Sequence, residues 1–344
     1  MTLDFLPQTE QIALLLQDMY SRFGYKRYKI NKFEEYSFYM EKEQFLNDSR
    51  ILTFSGPNGK LLALKPDITM SVAKNAMKNP DEDSKIYYHE SVFRIPKGDD
   101  QFKEISQLGV EFMGDLSDYQ LLEVVNLACK SLQTMSSDSR LCLSHAGLIL
   151  TVMQELSLTS GQRGVVFNLI KQKNLHDLSA FFKQEQIVDG GILHALLTLN
   201  ATVDQSMTTL RQLLPEPVYQ KSLDELALVM EHIGEMINPS HVFLDFSHIS
   251  CTEYYNGIIF AGYVPGLAVP ALLGGRYDKL LDSMGLEGKS ALGFAIYLSA
   301  MHNLFPIGSE PTRTTISESS GSISELIATS NRLYHEGEQF QINK

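Results

Sequence analysis

Apolar residues first recur at helical spacing. Ile12, Leu15, Leu16, Met19 and Phe23 share one stripe and Gly24 supplies a stop, which predicts an amphipathic helix over 9–24. The pattern then shortens. Residues 28–33 read as extended, and strands at 51–55 and 60–64 flank Gly56-Pro57-Asn58-Gly59, the turn chemistry of a hairpin. Asp67 stands where an N-cap belongs, ahead of a helical run over 70–77. Strands at 86–93 and 105–113 are joined by a polar loop at 96–100, and a helix at 117–134 and a strand at 140–145 follow. Residues 150–236 keep the helical period, with polar breaks at 157–161, 173–176 and 188–191, and read as an inserted helical subdomain. Strands return at 242–246, 254–264 and 268–273, and a helix at 276–283 and a strand–helix pair at 291–304 close the core. Hairpins outnumber β-α-β units, which predicts an α+β fold whose mainly antiparallel sheet is flanked by helices. From 306 to 344 Ser, Thr, Gly and Glu dominate, so a flexible tail is expected there, with a short helix possible only over 323–333.

Composition narrows the function. The 344 residues carry a net charge of −12, from 29 basic and 41 acidic side chains, which opposes a general nucleic-acid role. Cys129, Cys142 and Cys251 form no C-x-x-C, so neither a disulfide framework nor a zinc site is supported. The start, Met1-Thr2-Leu3-Asp4-Phe5, lacks the features of a signal peptide. The uncharged stretch 257–275 contains Pro265 and Pro270 and suits a hairpin better than a membrane span. The expectation is a soluble cytoplasmic protein without cofactor or metal.

Candidate chemistry is spread along the chain. Gln107, Gly109 and Glu111 share one face of a strand, where an amide and a carboxylate flanking a glycine would make a floor for an ammonium or imidazole group. By spacing alone a solvated sheet face is the simpler reading. Asp67 can cap its helix and Thr69 can bond backbone, or both can face a ligand; capping is the simpler choice. Tyr254 and Tyr255 begin a strand, so one ring should enter the core while the other lines a cleft. Gly274-Gly275 reads as a turn before a helix, with Arg276 placed to reach an anion. His89, His145, His241 and His248 have no metal-ligand spacing, and no G-x-x-x-x-G-K-S/T, G-x-G-x-x-G or G-x-S-x-G occurs.

Taken in order, these segments resemble the class II histidyl-tRNA synthetase core over about residues 1–305. Leu64-Lys65-Pro66-Asp67-Ile68-Thr69 resembles L-R-P-E-x-T. Phe93-Arg94 resembles the start of motif 2, and Gln107-Leu108-Gly109-Val110-Glu111 its Q-L-G-x-E end. Glu253-Tyr254-Tyr255 resembles the end of R-G-L-D-Y-Y, the segment from Leu273 to Leu280 resembles G-G-G-R-Y-D-G-L, and Ala291-Leu292-Gly293-Phe294-Ala295 the start of motif 3. The resemblance implies a class II synthetase-like fold and a histidine pocket. Asp67, Thr69 and Gln107 would face the α-amino group, Glu111 and Tyr255 the imidazole, and Arg94, as the motif 2 arginine, the ATP α-phosphate and the carboxylate region.

The departures matter as much. Motif 2 continues Phe93-Arg94-Ile95-Pro96 without its adenine-contacting acid, and Asp99-Asp100 replace a basic loop tip. Ser250-Cys251 stand where the catalytic arginine and its glycine belong, and motif 3 ends Tyr297-Leu298-Ser299-Ala300-Met301 without its ATP-clamping arginine. No anticodon-binding domain is expected after 305. This set of losses resembles the regulatory subunit of ATP phosphoribosyltransferase. That resemblance implies a non-catalytic chain that dimerises, assembles with a short catalytic subunit, enables its activity in the first step of histidine biosynthesis and conveys feedback by histidine, while tRNA is not expected as a partner. Its rivals are a divergent amino-acid-adenylating paralogue and a tRNA or amino-acid sensing module.

Overall fold

The structure is a computed structural model that describes residues 6–42, 46, 51–79, 82–95, 100–187, 190–199, 203–247, 254–301, 314–317, 322–336 and 340–343. The chain divides into two compact units, one of residues 12–301 and a smaller one of residues 1–11 with 302–344. In chain order the elements are α1 (Gln8–Arg22), β1 (Lys26–Arg27), β2 (Phe33–Glu35), α2 (Tyr36–Met40), β3 (Thr53–Ser55), β4 (Leu61–Leu64), α3 (Thr69–Ala76), β5 (Ser84–Arg94), β6 (Lys103–Gly114), α4 (Asp118–Met135) and β7 (Arg140–His145). A helical run follows: α5 (Ala146–Glu155), α6 (Ser160–Lys171), α7 (Leu175–Gln184), α8 (Gly190–Leu197), α9 (Val203–Leu213) and α10 (Gln220–Met236). The larger unit closes with β8 (Val242–Leu244), β9 (Ile258–Tyr263), β10 (Leu272–Arg276), α11 (Asp278–Ser283), β11 (Ser290–Tyr297) and α12 (Leu298–Met301).

Its main sheet has the order β1-β5-β6-β11-β10-β9-β7-β8, antiparallel throughout except for the outermost pairs β1·β5 and β7·β8. Strand alternation divides β6 cleanly. Leu108, Val110 and Phe112 are fully buried towards one face, while Gln107, Gly109 and Glu111 point to the other. The apolar face is covered by α1 and α4. Tyr20 of α1 packs its ring 6.1 Å from those of Tyr87 and Phe294, and its hydroxyl shares a 2.7 Å hydrogen bond with Ser131 of α4. Gly262 is needed here, because a Cβ would overlap Leu132. α4 starts on a capping box between Ser117 and Gln120, the exposed signal that ends the preceding strand and starts the helix. A small sheet of order β2-β4-β3 lies before α3, its β3–β4 turn built on Gly56-Pro57-Asn58-Gly59 as the sequence predicts.

The helical subdomain begins at Ala146, earlier than the expected 150, and is interrupted beyond the polar breaks read from the sequence, between α8 and α9 and between α9 and α10. In the smaller unit, β12 (Thr314–Ser317) pairs in parallel with β13 (Phe340–Asn343), and α13 (Ile323–Glu336) lies between them in the chain with Leu326 and Leu333 buried. The short helix read at 323–333 is α13; around it, where a flexible tail was expected, the described residues add two paired strands. Two buried leucines at seven-residue spacing suffice for one helical stripe, and the surrounding Ser and Glu dilute that signal in composition. The expected loop at 96–100 lies outside the described residues except for Asp100. Asp99, His248, Ser250, Cys251 and Glu253 lie outside them as well.

Candidate functional site

The polar face of the sheet carries a cleft of about 630 Å³ including its open mouth, lined by groups from α3, β5, β6, β10 and β11 and by the segment before β9. Asp67, Thr69, Arg94, Gln107, Glu111 and Tyr255 all line this cleft, so the structure brings together six residues that the sequence scatters over almost 190 positions.

Glu111 sits at the base and is only 2% exposed. The Thr69 hydroxyl donates to its Oε1 at 2.9 Å, and the Tyr277 hydroxyl donates to its Oε2. Gly293, opposite Glu111 in the β6·β11 register, leaves the space that the carboxylate fills, because a Cβ there would collide with Oε2. Burial pushes the Glu111 carboxyl up to about 8; the hydroxyl donors from Tyr277 and Thr69 partly oppose that rise, and the nearby Asp67 charge adds to it. Asp67 combines the two roles that the sequence left open. Its Oδ1 accepts the Met70 N–H at 2.9 Å, so it caps α3 from one residue outside the N-cap position, and it also faces the cleft. Burial raises its carboxyl too, against the lowering effect of the Met70 N–H, the Arg94 charge and the Thr69 N–H. Among the described lining residues the charged groups are two carboxylates and one cation, Arg94. Such a cleft suits a ligand with a cationic or hydrogen-bonding nitrogen at one end and an anion near Arg94.

Three expectations change. Tyr254 and Tyr255 precede β9 and do not alternate across a strand; both rings line the cleft, in a cluster with Tyr277 whose centroids lie 5.0–6.4 Å apart. Gly274-Gly275 is no turn before a helix but lies inside β10, where Phe260 and Phe294 pack on Gly274 and the Tyr255 ring packs on Gly275. Arg276 stands outside the cleft. Its Nη1 donates to Glu225 Oε2 at 2.6 Å, its Nε to Asp278 Oδ2 at 2.8 Å and its Nη2 to Ser290 at 3.0 Å, so two carboxylates of the chain itself neutralise it. Glu225 of α10 also accepts the Ile258 N–H at 2.8 Å and lies 3.4 Å from His145 Nε2. Burial pushes Glu225 up, but His145, Arg276 and the Ile258 N–H outweigh it and bring the carboxyl down to about 2. Arg276 is therefore a clamp between the helical subdomain and the sheet. The cleft also gains Tyr277, from the segment 273–280 that the resemblance picked out, and residues that sequence reasoning missed: Tyr88, Gly293 and Tyr297. Strand alternation would have found Tyr88, which lies directly opposite Gly109 on β5.

The eight-stranded, largely antiparallel sheet with this cleft on its polar face is a class II aminoacyl-tRNA synthetase fold of the histidyl type. Residues 4–301 match the histidyl-tRNA synthetase family, and the chain belongs to it. Among its relatives is the ATP phosphoribosyltransferase regulatory subunit of Oceanobacillus iheyensis, 24% identical over 317 residues that span 90% of this chain and 77% of that one. The histidine–tRNA ligase of Methanococcus aeolicus is 24% identical over 307 residues, 86% of this chain and 73% of the ligase. Of solved structures, an ATP phosphoribosyltransferase regulatory subunit/histidyl-tRNA synthetase from Bacillus halodurans superimposes with a TM-score of 0.82 at 22% identity, covering 99% of this chain and 91% of that one. The ATP phosphoribosyl transferase (HisG:HisZ) complex from Thermotoga maritima contains a chain matching at a TM-score of 0.64 and 18% identity, over 84% of this chain and 97% of that one. At these identities the structural matches establish the fold.

Proposed function

We propose that this chain is a non-catalytic regulatory subunit of ATP phosphoribosyltransferase. It pairs with a short catalytic subunit, is needed for that subunit's activity in the first step of histidine biosynthesis, and relays inhibition by histidine. The observation that supports this reading is a cleft lined by the carboxylates of Asp67 and Glu111 in which, among the described lining residues, Arg94 is the one cation. Adenylation builds negative charge on the transferring phosphorus centre, and fixed cations supply most of its stabilisation. Among the described residues that line the cleft, Arg94 alone carries positive charge. After β11, α12 contributes Leu298, Ser299, Ala300 and Met301, and Ser299 Oγ accepts the Ser106 N–H at 2.8 Å, a contact that ties α12 to the sheet. The relatives that are ATP phosphoribosyltransferase regulatory subunits, together with the Thermotoga maritima HisG:HisZ complex, support the same partner.

In this reading histidine occupies the cleft, its α-amino group towards Asp67, Thr69 and Gln107, its imidazole towards Glu111 and Tyr255, and its carboxylate towards Arg94. The chain forms dimers before it joins the catalytic subunits, and works in the cytoplasm. The deciding experiment mixes the chain with a short catalytic subunit and follows phosphoribosyl-ATP formation with and without histidine. Activity that needs both chains and falls with histidine supports the proposal; failure to co-elute with the catalytic subunit or to activate it ends it. The ligase relative favours one rival, an adenylating enzyme, which would display histidine-dependent ATP–pyrophosphate exchange by this chain alone.

A further inference from the structure

Tyr255 stands on a stretch that no strand pairing holds. The ladder of β9 begins at Ile258 against β7 and at Ile259 against β10, so residues 254–257 reach the cleft outside it. The main chain of this stretch is tied by the Asn256 N–H, which donates to the Arg276 carbonyl at 2.9 Å, and by the Gly257 carbonyl, which accepts the Ala146 N–H at 2.8 Å. Side chains add to this. Asn256 Oδ1 accepts the Asp278 N–H at 2.9 Å, and its Nδ2 donates to Asp278 Oδ2 at 3.2 Å. Asp278 Oδ1 accepts the Ala291 N–H at 3.0 Å, and its Oδ2 also receives Arg276 Nε.

The last link comes from outside the sheet. Glu225 of α10 bridges both segments, with Oε1 on the Ile258 N–H and Oε2 on Arg276 Nη1. Gly257 makes room for it, because a Cβ there would lie 2.7 Å from Glu225 Oε1 and 2.8 Å from Arg276 Cδ. Along the chain this network is interleaved with the cleft. Tyr255 directly precedes Asn256, and Tyr277 stands between Arg276 and Asp278. Both tyrosines line the cleft, whereas Glu225, Asn256, Arg276 and Asp278 lie behind its lining. Tyr277 in turn donates to Glu111, and the Tyr255 ring packs on Gly275. Groups that fix the main chain at 256–258 and 276–278 therefore fix where the two rings point. Charged carboxylate–guanidinium bonds suit this task, because they are short and directional.

We propose that Glu225 is a positioning residue for the cleft: from α10, without touching the ligand, it sets ligand affinity by holding the segments that carry Tyr255 and Tyr277. This inference rests on the reading of the cleft as an amino-acid site and adds a means of regulating it. A displacement of α10 from the sheet lowers affinity, and by linkage an occupied cleft opposes that displacement.

The test is calorimetric titration of the full chain with L-histidine, for the wild type, Glu225→Gln, Asn256→Ala and the double variant, at a temperature where unfolding curves show all four folded. Affinity separates positioning from structural support, because a loss of global stability leaves the affinity of a fully folded chain unchanged. Glu225→Gln keeps the shape but removes the charge that holds Arg276, and should weaken histidine about tenfold; Asn256→Ala should weaken it about as much. Both loosen the same segment, so the double variant should lose far less than the roughly hundredfold that two independent sites would give. If Glu225→Gln does not fold, Glu225→Asp, which keeps the charge on a shorter stem, takes its place and should also weaken binding. Wild-type affinity in either single variant, or losses that simply multiply in the double variant, overturns the positioning role and leaves the amino-acid reading standing. A wild-type chain that binds no histidine overturns the reading of the cleft and this proposal with it.

Discussion

Replacing Glu111 by Gln should make the protein more stable at alkaline pH and change little at pH 5. Glu111 is 2% exposed, and burial moves its carboxyl from an ordinary 4.5 to about 8. An acid whose folded pKa lies above its unfolded value binds its proton more tightly in the native state. Native stability is then highest below about pH 4.5 and falls as the pH rises towards 8, with a slope approaching about 1.4 kcal/mol per pH unit. At pH 7 the accumulated cost is about 3 kcal/mol, and above pH 8 it levels at about 5 kcal/mol. Glutamine keeps the shape and cannot ionise. It cannot accept from both Thr69 and Tyr277, and that loss of one hydrogen bond, about 1 kcal/mol, applies at every pH. The difference between variant and wild type should therefore swing in favour of the variant by several kcal/mol between pH 5 and pH 8.5. Urea unfolding of both proteins in half-unit steps of pH measures it. Parallel stability curves across that range would refute the argument, because they would mean that Glu111 ionises in the native state as easily as in the unfolded chain.

Further consequences can be checked separately. Arg276→Ala leaves Glu225 and Asp278 without their shared cation and should cost about 3–5 kcal/mol in urea unfolding, with Arg276→Lys recovering only part of it. Glu225 has its folded pKa lowered to about 2, so its contribution is present above the unfolded value near 4.5 and is lost as pH falls from about 5 towards 2; acid titration followed by circular dichroism should show a shallower acid limb in Glu225→Gln. Gly293→Ala drives a methyl group into the Glu111 carboxylate and the Val110 carbonyl, and should cost about 1–3 kcal/mol in thermal melts and abolish histidine binding. Glu111→Ala should remove the histidine sensitivity of the reconstituted complex while leaving its assembly intact, measured by inhibition curves and gel filtration; unchanged sensitivity would place the effector elsewhere.

Much of the architecture was legible in one dimension because its signals are local. Apolar spacing in α1, the proline–glycine turn between β3 and β4, the alternation in β6 and the Ser117–Gln120 cap each depend on neighbours within a few residues. The order of the motifs, with the residues missing from them, was enough to point to the histidyl-tRNA synthetase family. Boundaries shifted where tertiary pairing overrode local preference. Gly274-Gly275 has the composition of a turn, yet it lies in β10 because Phe260, Phe294 and Tyr255 need the space that two absent side chains leave. The strand in 314–317 and its partner in 340–343 escaped notice, since each is a four-residue segment paired with the other across more than twenty residues of chain.

The sequence thus placed most of the elements and the shared face of Gln107, Gly109 and Glu111 on β6, and its resemblance to the family pointed to six residues that line the cleft. Only the tertiary structure decided what those groups do to one another. Whether Asp67 caps or binds, whether Arg276 meets a ligand anion or Glu225, and whether Gly109 leaves room or is covered by Tyr88 all depend on atoms that are distant in the chain and a few ångströms apart in space. The raised carboxyl of Glu111 arises in the same way, because desolvation requires several strands and helices to close around one side chain, and no short window of sequence records that closure.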